Sequence, residues 1–374
     1  MKSLVLSVLL AAIFALNATA EEVISEDNFT LDLSGTAQLD YRIINTDKDD
    51  LLARRIRPVI EATAWNDLSF RFMPEFATGE IKVFDAYAEY KFDDSLKLRV
   101  GKFKPPVGLE RFQSAADTMF IERGHPTNFA PSRDFGAQIS GEIIPKTLEY
   151  QLGVFNGNAD LANGSVDDDN NKDIVARIFA HPIKGLGVGL AGSYGERDGS
   201  IASKILPKYR TPGQQSFFSY SSATFADGTN WRLYPQAYWY NGNYGLLGEY
   251  AISSQEVTNG ANHDELEHKA WQVEASYVLT GEDVNFKGGV IPEAETGAWE
   301  LVGRVGQTDV DNAAFGAFAN AATSASKASS YGAGINWYLN KNIKLATNYD
   351  HTVFDGAANK PDEEAIFTRA QLRF

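Results

Sequence analysis

The chain has 374 residues, no cysteine, and 34 basic against 49 acidic side chains, which gives a formal net charge of -15. Without cysteine a disulfide-stapled scaffold is excluded, and the negative charge argues against non-specific binding to nucleic acid. Beyond residue 20 no run of ~20 apolar residues occurs, so the sequence does not encode a helical membrane protein. Two classes remain, an acidic soluble protein and a protein whose membrane surface lies in short alternating strands.

The first 20 residues predict a cleaved secretory signal peptide. Lys2 gives the segment a positively charged N-terminal region, residues 4–16 form its apolar region, and Ala18-Thr19-Ala20 matches a signal-peptidase cleavage site of small residues. The apolar stretch is too short to anchor the chain in a bilayer. We expect residues 1–20 to be removed at export, residues 21–28 to form a short periplasmic segment, and residues 29–374 to form one domain.

From residue 29 onward the side chains alternate between apolar and polar. Between residues 29 and 43 the odd positions are apolar or small and the even positions are polar. This alternation indicates strands with one apolar and one polar face, and most segments reach the ~9 to 11 residues that a tilted strand needs to cross a bilayer. The sixteen segments are 29–43, 51–65, 68–76, 81–92, 96–103, 135–144, 148–156, 173–181, 186–195, 229–240, 244–253, 268–280, 298–308, 330–339, 343–353 and 365–374.

Short and long connections alternate between these segments. An even number of strands, with short turns at one end and long loops at the other, is typical of an outer-membrane barrel with both termini in the periplasm. We therefore predict an all-β fold, a 16-stranded antiparallel transmembrane β-barrel with short periplasmic turns and long extracellular loops. The long connections are 104–134, 157–172, 196–228, 254–267, 309–329 and 354–364, and the exceptions to the alternation are 77–80 and 281–297.

A soluble β-sandwich or propeller would also show alternation. Its strands are usually ~5 to 6 residues long, shorter than most segments here. Five of the six tryptophans lie on the apolar parity near a strand end, as interfacial girdles require. The last strand ends in Phe374, which resembles the C-terminal signal of bacterial outer-membrane proteins. These features favour the barrel, whose apolar face would contact outer-membrane lipid and lipopolysaccharide.

The polar face of the predicted barrel is balanced in charge. By parity it carries thirteen basic and thirteen acidic side chains, although loss of one lysine with the signal peptide brings the net charge to -16. The excess negative charge is therefore expected in loops and turns. Most of the wall bases are arginines, which bind phosphate or carboxylate through two parallel hydrogen bonds. Pairing with wall carboxylates is the alternative role for most of them.

The connection 104–134 carries the strongest local signal. A 31-residue connection inside a compact domain is usually functional. Its bases Lys104, Arg111, Arg123 and Arg133 are interleaved with four acids, and its aromatic and proline content indicates packing rather than disorder. We expect it to fold into the barrel as a constriction loop, with a solvated surface loop as the alternative.

Eight runs span nearly the whole chain after the signal peptide: 51–57, 85–90, 101–110, 120–141, 212–214, 271–282, 297–304 and 334–340. Together they resemble the phosphate-selective porin O/P family. The resemblance implies a homotrimer, a third and a fifth loop folded into the pore, and an arginine ladder with a lysine cluster that guides anions. The connection 196–228, with Lys204, Lys208 and Arg210, fits the fifth loop, and the long turn 281–297 would fold inward from the periplasmic side.

The resemblance also indicates which residues would bind anions. Lys102 and Lys104 lie on the apolar parity of their strand, so they reach the pore only if a bulge or the strand end redirects them. The resemblance places Arg55 and Arg57 in the ladder and Lys102, Lys104, Arg111 and Arg133 in the constriction, and parity and the loop add Arg99 and Arg123.

The sequence thus predicts a passive diffusion channel of the Gram-negative outer membrane that favours small anions such as phosphate, with pyrophosphate as a further candidate. We expect no enzymatic activity, cofactor or metal. The alternatives are a general or cation-preferring porin, a barrel enzyme with a Ser or Thr nucleophile beside one of the five histidines, and a structural or adhesive barrel. His263 and His268 are expected in a polar loop, where a surface metal site is the alternative to a solvated loop.

Overall fold

The computed structural model describes residues 21–26, 28–77, 79–163, 169–287, 289–290, 292–293, 297–320, 322–356 and 360–374. The predicted signal peptide lies outside the described residues. No helix within these ranges is long and apolar enough to cross a membrane. The strands are β1 Glu21–Glu26, β2 Phe29–Ile44, β3 Asp50–Ala64, β4 Leu68–Glu75, β5 Lys82–Lys91, β6 Lys97–Phe103, β7 Asp134–Ile144, β8 Leu148–Phe155, β9 Asp173–Ile183, β10 Leu186–Asp198, β11 Lys208–Arg210, β12 Ser216–Ser219, β13 Phe225–Asn241, β14 Tyr244–Asn259, β15 Asn262–Val278, β16 Val284–Asn285, β17 Gly289–Val290, β18 Ala298–Asp309, β19 Lys327–Tyr338, β20 Ile343–Asp355 and β21 Glu363–Arg373, and the helices are α1 Leu109–Phe112, a 3₁₀ helix His125–Phe129 and α2 Ala314–Ala317.

Sixteen of these strands form one closed barrel. Each pairs antiparallel with its neighbours in chain order from β2 to β21, with β11, β12, β16 and β17 outside the barrel. The sheet closes where β21 pairs with β2, with Arg373 opposite Thr36 and Ala365 opposite Ile44. Closure leaves no unpaired sheet edge, which is the requirement for a sheet that spans a bilayer. The predicted 16-stranded antiparallel barrel is confirmed.

Strand β1 extends the sheet beside the last barrel strand. It pairs antiparallel with the first residues of β2, with Glu21 opposite Leu33 and Glu26 opposite Phe29. On the same edge of β2, Gly35 exchanges backbone hydrogen bonds with the terminal Phe374 at 2.8 and 3.1 Å. β1 therefore pairs with the part of β2 that β21 is too short to reach.

The barrel has an apolar outside and a polar inside. On β15, Gln272, Glu274 and Ser276 are buried, whereas Val273 and Tyr277, which alternate with them, are 41% and 38% exposed. A soluble protein shows the opposite arrangement, because polar groups are costly to bury and apolar groups are costly to hydrate. This pattern contradicts the soluble alternatives and matches a barrel surrounded by lipid.

The connection predicted at 254–267 is not a long loop. β14 and β15 continue through it as a ladder that ends with Asn259 opposite Asn262, and Gly260 turns the chain with φ +62°. The polar composition of this stretch suggested a loop, but two long strands can extend beyond a membrane into water. His263 and His268, predicted in a polar loop, both lie on β15, and His268 is buried.

The largest buried apolar cluster lies among the loops that fill the barrel. It includes Phe129 from the 3₁₀ helix, Tyr209, Phe217 and Phe218 from the β11–β12 hairpin, and Phe155 at the end of β8. His268 on the inner face of β15 packs edge-on against Tyr209, with ring centres 5.4 Å apart. The interior at this level is therefore a packed layer built from loop side chains.

Candidate functional site

The connection between β6 and β7, residues 104–133 and here called L3, lies inside the barrel against its wall. Side chains on β2 and on β18 to β21 donate hydrogen bonds to its backbone carbonyl groups. Buried carbonyl groups need donors, so these contacts fix the path of L3. The donors Gln38, Arg304, Asn336, Lys344, Arg369 and Gln371 bond to the carbonyl groups of Ala115, Glu122, Met119, Thr118, Ile121 and Ala116, respectively, at 2.8 to 3.2 Å.

An acidic part of the wall holds the start of α1. Glu249 on β14 accepts hydrogen bonds from the backbone N–H groups of Leu109 and Glu110, at 2.7 and 3.3 Å. The Gln272 amide donates to the carboxylates of both Glu110 and Glu249, at 2.9 and 3.1 Å. All four residues are buried. L3 therefore covers the carboxylates on this side of the barrel and separates them from the open part of the lumen.

A chamber of about 760 Å³ remains between L3 and the wall formed by β2 to β6. Residues 206–208, 210, 211 and 214 of the connection 199–224, here called L5, also line it. Among the described lining residues, eleven are basic and three are acidic. The bases are Arg54, Arg55, Arg57, Arg71, Arg99, Lys104, Arg111, Arg123, Arg133, Lys208 and Arg210, and the acids are Asp85, Glu122 and Asp160.

The predicted charge balance does not describe this chamber. Parity counted every polar position around the barrel, but L3 divides the wall into a covered and an open part. Glu249 belongs to the covered part, and so do Glu274, which pairs with Arg304 at 3.2 Å, and Glu300, which accepts a hydrogen bond from Tyr338 at 2.8 Å. The open part is therefore strongly basic in a protein whose net charge is negative.

Seven of the eight predicted site residues line the chamber. They are Arg55, Arg57, Arg99, Lys104, Arg111, Arg123 and Arg133. Lys104 reaches it because β6 ends at Phe103, so the alternation of the strand no longer fixes its direction. Lys102 does not line the chamber, and its ammonium group lies 5.5 Å from the ring centre of Phe135.

Arg54 lines the chamber although parity placed it on the apolar face. In the β2–β3 ladder Gln38 lies opposite Arg55 and Leu39 lies opposite Ala53, so Arg54 is the additional residue of a β-bulge. The bulge turns both Arg54 and Arg55 inward. The sequence signal was a shift of the apolar positions from Leu51 and Ala53 to Ile56 and Ile60, which a single parity over 51–65 did not allow for.

Three wall arginines of the chamber, and Arg133 at the end of L3, are paired with carboxylates. Each pair holds its arginine in one orientation, and partial burial strengthens such charged hydrogen bonds. Asp85 is shared between two arginines. The pairs are Arg57 with Glu75 at 2.6 Å, Arg71 with Asp85 at 3.2 Å, Arg99 with Glu89 at 2.6 Å and Arg133 with Asp85 at 3.0 Å.

Among the described residues, three bases of L3 bond only to backbone carbonyl groups. Lys104 Nζ donates to the carbonyl groups of Phe112 and Gln113 at 3.1 and 2.9 Å, and Arg111 Nε donates to that of Pro131 at 3.2 Å. Arg123 donates to the carbonyl groups of residues 110 and 113 at 2.9 and 2.8 Å. No carboxylate in the described part of the chain lies within ion-pair distance of these three side chains. Within the described structure these three charges therefore have no direct ion-pair partner, and Glu110 acts on Arg123 only from beyond ion-pair distance.

The three L3 bases repel each other. Burial, and then the guanidinium groups of Arg133 and Arg123, hold the pKa of the Lys104 amine well below its ordinary value. Burial and the same kind of repulsion, first from Arg123, lower the pKa of Arg111, and burial lowers that of Arg123. Because an anion would relieve both the desolvation and the repulsion, this group of bases favours binding of an anion.

Aromatic rings separate the arginines of the chamber. Phe84 lies between Arg57 and Arg133, whose guanidinium carbons are 4.2 and 4.9 Å from its ring centre. Arg99 lies 4.4 Å from the ring centre of Tyr87. These cation–π contacts hold guanidinium groups in place without neutralising them. The rings thus keep several positive charges close together and open to the chamber.

L5 reaches the chamber through the β11–β12 hairpin. Arg210 N–H donates to the Asn128 side-chain oxygen at 2.9 Å, and the Asn128 amide donates to the Arg210 carbonyl at 2.8 Å, which ties L5 to L3. Beyond the hairpin strand, Thr211 donates to Glu363 on β21 at 2.7 Å. L5 therefore crosses the barrel from β10 to β21 and places Lys208 and Arg210 at the chamber.

The first part of the long turn between β15 and β18, residues 279–287, also enters the lumen. Phe286 stacks on Tyr238 with ring centres 4.4 Å apart and planes inclined by 10°. The Gln113 side-chain amide of L3 donates to the Phe286 carbonyl at 2.8 Å. The turn thus narrows the lumen from the short-turn end and contacts L3 directly.

The described residues offer no catalytic arrangement. His125 forms hydrogen bonds with Ser330 at 2.7 Å and with Thr308 at 2.9 Å, a pair that the sequence pattern did not reveal. All three residues are buried, the second ring nitrogen contacts a hydroxyl rather than a carboxylate, and burial lowers the pKa of His125 to about 3. Within the described ranges no group of three or more metal-binding side chains occurs. The pair therefore serves packing rather than nucleophilic catalysis.

Comparison with known proteins agrees with this geometry. The family model described as phosphate-selective porin O and P matches residues 31–374. Porin O of Pseudomonas aeruginosa is 24% identical over 95% of this chain and 90% of its own length. Two solved structures share the fold. The anion-selective porin from Comamonas acidovorans is 12% identical, with a TM-score of 0.59 and coverage of 92% of this chain and 100% of that one. The trimer form of OmpT from Vibrio cholerae is 13% identical, with a TM-score of 0.60 and coverage of 93% of this chain and 100% of that one.

The match to the family model extends over nearly all of the barrel domain, and the relative aligns over almost the whole chain. A closed 16-stranded barrel with an apolar outside and a lumen narrowed by L3 has the form of a channel, and the family match indicates a channel rather than an enzyme. The chain therefore belongs to the phosphate-selective porin O and P family and is a porin of the outer membrane.

Proposed function

We propose that this porin conducts small anions in preference to cations and that phosphate binds in the chamber during passage. The observation that carries the proposal is the group Lys104, Arg111 and Arg123, whose charges are held by carbonyl groups within a chamber where bases outnumber acids. A cation would meet repulsion there, whereas an anion would replace part of its hydration shell with guanidinium and ammonium donors.

Passage also requires that the anion leave the chamber. Eleven bases spread over β3 to β6, L3 and L5 offer several overlapping positions, so an anion moves by exchanging donors one at a time. Binding that is shared among sites in this way holds each anion weakly and keeps exit fast. The chamber volume, about 760 Å³, exceeds the space one phosphate occupies, so pyrophosphate belongs to the proposed substrates.

The comparisons support the anion preference. The family model carries phosphate selectivity in its description, and the similar fold from Comamonas acidovorans is described as an anion-selective porin. Neither fixes the selectivity of this chain, so the proposal depends on the charges of its own chamber. The principal alternative is a general or cation-preferring porin, in which the acidic loops would determine selectivity.

We extend the proposal to the assembly of the protein in the membrane. The trimer form of OmpT supports a homotrimer, and the exposed apolar side chains of the outer face fit contact with outer-membrane lipid and lipopolysaccharide. Export would remove residues 1–20. Cross-linking in outer-membrane preparations and N-terminal sequencing of the protein recovered from them test these points; a monomer, or a retained leader, would contradict them.

Planar-bilayer recordings test the proposed selectivity. Under a KCl gradient the reversal potential is expected to indicate a chloride-over-potassium preference, and millimolar phosphate is expected to reduce the chloride current. The control replaces phosphate with sulfate at equal ionic strength. Screening of the chamber charge would reduce the chloride current equally with both anions, whereas phosphate binding would reduce it more with phosphate. A potassium preference without any effect of phosphate would show that the acidic loops dominate.

A further inference from the structure

Glu122 of L3 is the point at which four arginines converge. Its Oε1 lies 2.9 Å from Arg42, 2.6 Å from Arg54 and 3.3 Å from Arg369, and its Oε2 lies 3.0 Å from Arg54 and 3.7 Å from Arg55. The carboxylate therefore meets guanidinium groups from β2, β3 and β21. Burial alone would raise the pKa of Glu122, but the charges of Arg54, Arg55 and Arg369 outweigh burial and hold it well below the ordinary value.

The arrangement resembles the coordination of an anion by arginines. The two oxygens of Glu122 accept a forked pair of hydrogen bonds from Arg54, at 2.6 and 3.0 Å, the geometry in which arginine also binds phosphate. Glu122, Arg54 and Arg55 all line the chamber. Within the described structure Arg55 Nε is buried without an acceptor, so the cluster keeps a donor that Glu122 does not satisfy.

Fixing L3 does not require four arginines on one carboxylate. Six wall side chains already bond to the carbonyl groups of residues 115 to 122. Asp117 of the same loop pairs with one arginine, Arg373, at 2.6 Å. The convergence on Glu122 includes Arg54, which lies beside Arg55 only because of the β-bulge in β3. The cluster thus has more positive charge than an anchor for L3 needs.

We propose that Glu122 is an intramolecular competitor of the permeating anion. Its carboxylate occupies the position on Arg54 and Arg55 that a phosphate oxygen would otherwise take, and its negative charge repels an anion that enters the chamber. It thereby limits anion affinity at this part of the chamber and keeps exit fast. The proposal rests on the proposed function and identifies the residue that sets how tightly the site binds.

Replacement of Glu122 tests the proposal directly. Glu122→Gln keeps the shape of the side chain and removes its charge, so Arg54 and Arg55 become available to phosphate. The phosphate concentration that halves the chloride current is expected to fall about tenfold or more, with longer single-channel blocks. Asp117→Asn is the matched control, because it removes one carboxylate from the same loop outside the chamber, and a change below about threefold is expected. An unchanged or weaker block in Glu122→Gln overturns the proposal.

A second variant keeps the test decisive if Glu122→Gln does not fold. Arg54→Gln, in the presence of Glu122, is expected to change phosphate block by less than about threefold, because the carboxylate already engages this arginine. If Glu122→Gln does fold, the same substitution in that background is expected to remove most of the gained affinity. If Arg54→Gln alone weakens block as much as Arg111→Gln does, Glu122 does not mask Arg54 and the proposal fails.

Recordings of the unmodified protein separate this proposal from the proposed function. A cation preference without phosphate block in that protein would refute the proposed function. Anion preference with phosphate block, combined with no tightening in Glu122→Gln, would refute only the role of Glu122. Loss of a purely structural contact would free L3 and weaken block, which is opposite in sign to the expected result.

Discussion

Arg111 gives the sharpest test of how the chamber binds anions. Its guanidinium lines the chamber, donates through Nε to the Pro131 carbonyl at 3.2 Å and has no carboxylate partner among the described residues. Arg111→Gln removes the charge and retains an amide donor for that carbonyl. L3 should therefore keep its path while the chamber loses one full positive charge.

The expected loss of affinity follows from what the guanidinium contributes. A hydrogen bond to a charged group contributes about 1.5–3 kcal/mol, and about 1.4 kcal/mol corresponds to a factor of ten in affinity. Arg111→Gln should therefore raise the phosphate concentration that halves the chloride current by about 10- to 100-fold. A purely long-range effect would be smaller, since charges ~8 Å apart interact by about 0.5–2 kcal/mol at dielectric constants between water and a protein surface.

Arg373→Gln is the matched control in the same bilayer assay. Arg373 is 45% exposed at its side chain, pairs with Asp117 at 2.6 Å and does not line the chamber. Its charge is offset locally and screened by salt, so a shift below about threefold is expected. Equal shifts for the two variants would mean that phosphate responds only to net charge, and the assignment of Arg111 to the binding site would be wrong.

Three further predictions concern the pH response, the backbone and the pore width. Because burial and the neighbouring guanidinium groups lower the pKa of Lys104, its amine loses its proton below the ordinary lysine range. Chloride preference should therefore decline as the pH rises toward that range, and Lys104→Arg should flatten the decline; an identical decline in both proteins would contradict this origin. Gly101 has φ +133°, and an added Cβ would collide with the Ala86 carbonyl oxygen. Gly101→Ala should therefore lower the free energy of unfolding, measured by urea titration, by about 1–3 kcal/mol. An unchanged free energy of unfolding would show that β6 can relax. Phe286→Ala removes the ring that stacks on Tyr238, so single-channel conductance should increase while the reversal potential stays constant; unchanged conductance would mean that the long turn does not limit the current.

Much of the barrel could be predicted because a membrane imposes a simple rule on strands. Lipid requires an apolar outer face, and strand geometry places every second side chain there, so alternation shows both the strands and their orientation. Alternation did not identify the strands where the chain is no longer expected to face lipid. Beyond the membrane, β14 and β15 continue as polar strands up to Gly260, and polar composition there suggested a loop.

The bulge in β3 shows a second limit of counting by parity. Alternation assigns each residue a side only while the register is unbroken, and one additional residue reverses the assignment for all that follow. Arg55 and Arg57 were assigned inward from the register after the bulge, whereas Arg54 belongs to the bulge itself. The residue that binds Glu122 most closely was therefore the one that parity placed in the lipid.

The charge of the chamber could not be obtained from the sequence because it depends on how L3 divides the wall. Counting all polar-face residues gives equal numbers of bases and acids, and this count treats the barrel as an empty tube. L3 lies over Glu249, Glu274 and Glu300. These carboxylates contact α1, Arg304 and Tyr338, respectively, rather than the open lumen. The arginines of β3 to β6 remain on the open side. The charge of the chamber is thus determined by which half of the wall the loop covers, and a net charge of -15 is compatible with a chamber in which eleven described bases face three acids.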